Sequence, residues 1–106
     1  MRLDPRRRDE YLHEVGLAYV LMGRYDEAVP VLKRHLARYP NSLGAHLVLA
    51  VAYSELGLRE QSRAEAAEVI RISPQFSLET WNERSPFKDQ TFIDRVLPDL
   101  RSAGLK

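Results

Sequence analysis

Apolar residues along this chain fall into blocks that glycine and proline interrupt at regular places. Asp4-Pro5 opens the first block: aspartate caps free N–H groups, and proline in the first turn gives up a hydrogen bond it would not have made. The helix so predicted runs to about residue 22, where Gly23 permits a left-handed C-terminal turn. A second starts near Tyr25, with Asp26 and Glu27 at the positive end of its dipole. It stops before Tyr39-Pro40, because the residue preceding proline avoids helical geometry. Asn41-Ser42 is expected to cap a third helix over about residues 43–56, ended by Gly57, and a fourth spans about 59–72, up to Ser73-Pro74. Beyond it the pattern predicts a short helix over 77–84 carrying Leu78 and Trp81, then a turn at 85–88. Asp89 caps a last helix over about 90–103, in which Phe92, Ile93, Val96, Leu97 and Leu100 keep helical spacing and which Gly104 ends. Pro30, about one turn into the second helix, is expected to cost one hydrogen bond, and Pro98 to bend or interrupt the last.

The blocks repeat. Leu12, Val15, Gly16, Tyr19, Ala28, Leu32 and Pro40 reappear 34 positions later as His46, Leu49, Ala50, Tyr53, Ser62, Ala66 and Pro74. Gly16, Ala28, Ala50 and Ser62 are small where paired helices must approach, and Tyr19 and Tyr53 are sized to fill the space between one hairpin and the next. His35 stands where a small residue is usual. A 34-residue helix–turn–helix period with small, aromatic and proline positions at this spacing resembles the tetratricopeptide repeat (TPR) family. The resemblance implies an all-α fold, a right-handed superhelix of two antiparallel hairpins plus C-terminal capping helices. Repeat 1 covers about 9–42, repeat 2 about 43–76, and the cap 77–106. Stacked repeats need terminal caps and about three units for stability, so the tail is read as standing in for a third repeat.

The tail strings Ser73-Pro74-Gln75-Phe76-Ser77-Leu78, Ser85-Pro86-Phe87-Lys88-Asp89 and Leu100-Arg101-Ser102-Ala103-Gly104-Leu105 look like the C-terminal end of a group of bacterial TPR proteins. In that group the module follows an adenylate/guanylate cyclase or winged-helix regulatory domain, so any such chemistry would lie outside this chain. The resemblance also implies a concave groove lined by the first helix of each hairpin: Glu10, His13, Leu17, Val20 and Leu21, then Gly44, Leu47, Val51, Ser54 and Glu55. His13 and Leu17 stand where chaperone-binding members of the family carry Lys and Asn, which argues against a clamp for acidic C-termini. The third helix is apolar all round, with Leu47 and Val51 towards the groove and Leu49, Ala50 and Tyr53 towards its neighbours. Such a helix must be covered on every side. The cover is the Trp81 segment or last helix of the same chain, or another chain.

Composition narrows the function classes. The chain has 106 residues, a net charge of +1 and no cysteine, which excludes disulfides, thiolate metal sites and cysteine nucleophiles and fits a reducing, cytoplasmic setting. The longest apolar run, Leu47 to Tyr53, is seven residues, against about 20 for a membrane span. Arg6 to Arg8 are flanked by Asp4, Asp9 and Glu10, which reads as a solvated helix face with an Arg6–Glu10 pair, not a nucleic-acid patch. His13 and His46 fall on adjacent helices with no carboxylate or cysteine evidently placed to complete a metal site. Neither a nucleophile elbow nor a phosphate loop is present. The expectation is a non-enzymatic module without cofactor that binds a protein or peptide segment, or a second copy of itself, and neither nucleic acid nor membrane.

Overall fold

A computed structural model describes residues 5–79 and 90–105 of the chain, with side chains from 12 to 79 and from 94 to 105. The helices are α1 (Pro5–Leu21), α2 (Tyr25–Arg38), α3 (Leu43–Glu55), α4 (Arg59–Ile72) and α5 (Gln90–Ser102), and no strand occurs among the described residues. Helical backbone at Leu78 and Glu79 begins where the short helix over 77–84 is expected. The rest of that segment, Trp81 included, lies outside the described residues, as do the caps at Asp4 and Asp89.

The glycine stops are explicit. Gly23 and Gly57 have φ of 76° and 78°, a region that costs a residue with a Cβ. Each follows a helix whose last carbonyls are taken up in pairs: Arg24 N–H donates to Tyr19 O and Gly23 N–H to Val20 O, and 34 residues on Leu58 and Gly57 do the same to Tyr53 and Ser54. Pro30 falls inside the second helix as expected, and Pro98 does not interrupt the last; both helices run on unbroken. The capping of the third helix needs correction. Ser42 holds the N-cap position, but its side chain makes no capping bond; its hydroxyl lies 3.2 Å from His35 Nε2 instead. Asn41 accepts a hydrogen bond from Arg71 on α4. Tertiary partners outbid the local cap.

The hairpins α1/α2 and α3/α4 stack through α2 and α3, α1 also touches α3, and α5 packs on α3. The small positions act as spacing predicts. Ser62 donates to the Ala50 carbonyl at 2.7 Å, which only a short side chain facing a close backbone achieves. Lys33 reaches to 5.8 Å above the Tyr53 ring from the preceding hairpin, so Tyr53 does bridge the units. A Cβ on Gly16 would stand 2.5 Å from Cγ of Leu32, a fully buried residue. Cγ is too near the backbone to swing aside.

Gly16→Ala therefore sets two effects against each other. Helix propensity favours alanine by about 1 kcal/mol, while overpacking a closed core costs about 1–3 kcal/mol. A net loss of stability is expected in chemical denaturation, partly recovered by adding Leu32→Val; a more stable Gly16→Ala variant would show that α1 and α2 have room to spare.

Candidate functional site

Leu47, Val51 and Ser54 follow one another at i, i+4 and i+7 and so share one stripe of α3. Leu47 and Val51 are only 4% and 5% exposed. The Ser54 hydroxyl donates to Asp99 Oδ1 on α5 at 2.9 Å, which fixes α5 over this stripe. Val96 and Leu100 of α5 are buried, as are Ala103 and Leu105 just beyond it. Of the covers considered for the third helix, the chain's own last helix occupies this side. The 34-residue equivalents on α1 are less enclosed: Val20 is buried but His13 and Leu17 are only half-buried, and Leu21, the equivalent of Glu55, is 48% exposed. The side chain of Glu10 lies outside the described residues. Leu21 continues into Met22, and Leu56 and Leu58 at the equivalent turn of the second hairpin are also exposed.

The edge of the α5 seam is polar. Asp99 accepts from Ser54 through Oδ1, whereas its Oδ2 is buried without a donor. Asp99 also meets the Glu55 carboxyl, and two carboxyl groups bond only if a proton lies between them. Burial first, and Glu55 second, push Asp99 up to about 7. Alongside, Arg95 Nη2 donates to the Tyr25 hydroxyl at 2.6 Å, tying α5 to the start of α2. Sequence spacing offered no sign of these pairs, which join residues far apart in the chain.

The three histidines gather where the first hairpin turns into the second. His13 lies beside His35, ring centroids 5.6 Å apart. Its Nε2 is buried without a hydrogen bond, 2.8 Å from where a Cβ on Gly44 would stand. His46 instead points Nδ1 at Glu65 Oε2, 2.5 Å away, and Nε2 at the Pro40 carbonyl, 2.9 Å away. Glu65 is thus the carboxylate the sequence did not reveal. It is consumed in tying α4 and the inter-repeat turn to α3. An open cleft of about 580 Å³ lies between His13 and Glu14 of α1, His35 and Arg38 of α2 and the Tyr39–Ser42 turn. No group of three or more His, Cys, Asp or Glu able to hold a metal occurs among the described residues. No described helix is long and apolar enough to cross a membrane.

His13 carries a pH consequence. Burial, and then the His35 ring, hold it below the usual histidine value, against the opposing pull of the Gly44 backbone and Glu14. The unfolded chain therefore binds this proton first, near the ordinary value of 6.5. The stability it contributes is present above that value and lost as the pH falls below it. Wild type is expected to lose more Tm than His13→Gln on going from about pH 7.5 to about pH 5. Parallel losses in the two proteins would remove His13 as the source.

Compared with known sequences, residues 19–78 match the model of a family described as Tetratricopeptide repeat, which is more than half of the chain. No curated protein matches the sequence.

Proposed function

The chain belongs to the tetratricopeptide repeat family, whose members mediate protein–protein interaction, and from that premise we propose that it binds a protein or peptide segment along the face formed by α1 and α3. One observation supports this above the others. The α3 stripe of Leu47, Val51 and Ser54 already carries a helix laid along it, so its relief suits an amphipathic helix. The α1 copy of the stripe, His13, Leu17 and Val20, continues beside it; with His13 and Leu17 half-buried and the neighbouring Leu21 exposed, it is the more accessible half. Recognition then works by shape and apolar complementarity on a preformed surface, with a helix, an extended segment or a second copy of the chain as occupant. The proposal assigns no catalysis, cofactor, nucleic-acid contact or membrane contact to this segment, and the lack of cysteine suits the cytoplasm.

The wider reading is of a regulatory or scaffolding tail in a larger bacterial protein. Its support is the run of tail strings from Ser73 to Leu78, Ser85 to Asp89 and Leu100 to Leu105. A nucleotide cyclase is the alternative parent, with its active site in another domain; the reading frame upstream of Met1 tests both.

Leu17→Glu with Leu21→Glu is the direct test, since neither side chain is in the closed core. Two lost apolar contacts of about 1 kcal/mol each predict a drop in affinity of at least about tenfold, for a captured partner or for self-association, with helicity by circular dichroism unchanged. Unaltered binding moves the site elsewhere. A chain that stays monomeric at high concentration by light scattering and captures nothing removes the proposal.

A further inference from the structure

The attachment of α5 combines two unlike contacts. Val96 and Leu100 are buried in the core shared with α3. Asp99, one residue before Leu100, sits half-buried in the same seam, with one oxygen on Ser54 and the other cut off from both water and donors. The groups that face it are Ser54 and Glu55 from α3, Tyr25 from the start of α2, and Arg95 from α5 itself. Arg95 donates to the Tyr25 hydroxyl. Across the seam, then, two carboxyl groups meet with a hydroxyl on one side. With both ionised, Asp99 Oδ2 is a buried negative atom without a donor beside a second negative charge. With a proton on Asp99, the carboxyl can donate to Glu55 and the seam carries one negative charge fewer.

We propose that α5 is a proton-gated cover over the Leu47–Val51–Ser54 stripe, held closed while Asp99 carries a proton against Glu55 and released when that proton passes to solvent. In the open state Asp99 is hydrated and titrates as an ordinary aspartate, near 3.8, whereas in the closed state it is pushed up to about 7, by burial first and Glu55 second. Closing therefore takes up a proton. The stabilisation is complete below the open-state value and fades as the pH rises through the closed-state value. These two values make the closed form about tenfold less favoured at pH 8 than at pH 6. Apolar burial of Val96 and Leu100 persists throughout, so the proton adjusts how often the cover opens and not whether the hairpins fold.

As a control on partner access this rests on the function proposed above; the release itself does not. Amide hydrogen exchange, corrected for its intrinsic pH dependence, reads the release in the full chain without any partner. Protection in α5 is expected to fall about tenfold between pH 6 and pH 8, with α2 and α4 unchanged. In Asp99→Asn the fall disappears. In Glu55→Gln, which keeps the aspartate but removes its charged neighbour, the fall shrinks because Asp99 ionises at lower pH. If wild-type α5 protection does not change, if every helix loses protection together, or if both variants keep the wild-type fall, the gate is wrong. A pH-dependent release accompanied by no binding at any pH would instead count against the proposed function and leave the cover standing.

Discussion

Everything in this molecule is arranged around α3, whose apolar residues run round its whole circumference. Eight of its thirteen residues are buried, which no single partner helix achieves, since one helix covers only one stripe. α4 closes one side at the Ser62–Ala50 contact, α2 and α1 close others, and α5 closes the last. Two repeats alone leave that final side open. The C-terminal helix is therefore a thermodynamic requirement of a short array: without it Leu47 and Val51 would face water at a cost of about 2 kcal/mol each.

The polar groups that surround α3 follow from the same demand. A helix enclosed on all sides brings its few polar residues into enclosed places as well, and each then needs a partner. His46 is satisfied at both ring nitrogens, by Glu65 and the Pro40 carbonyl, and so becomes a rivet between α3, α4 and the turn joining the hairpins. Ser54 gives its proton to Asp99. Where the accounting fails, at Asp99 Oδ2 and His13 Nε2, the structure holds groups whose ordinary titration is displaced in opposite directions. Asp99 disfavours its ionised form and loosens the α5 seam as the pH rises; His13 disfavours its protonated form and weakens the fold as the pH falls. Both lie where one element closes on another, and neither lies within the α3/α4 hairpin contact.

Much of the backbone was legible. Helix ends at Leu21, Arg38, Glu55, Ile72 and Ser102 fall within a residue of where glycine and proline place them, because left-handed turns and the pre-proline restriction are local properties. Caps were less so. Ser42 has the right residue type at the right position, yet its hydroxyl goes to His35, because a buried imidazole competes for it. Pro98, a local signal for a break, is absorbed inside α5.

The amino-acid sequence by itself determined the period, the four repeat helices, the small residues at their crossings and the excess apolar surface of α3, since each is written in spacing and side-chain size. Only the tertiary structure decided how that surface is covered, and which acids meet which partners. His46 finds Glu65 nineteen residues on, and Ser54 finds Asp99 forty-five residues on. Pairings at such separations depend on how helices roll and slide as they pack. A rotation too small to alter any hydrophobic pattern is enough to exchange one carboxylate for another.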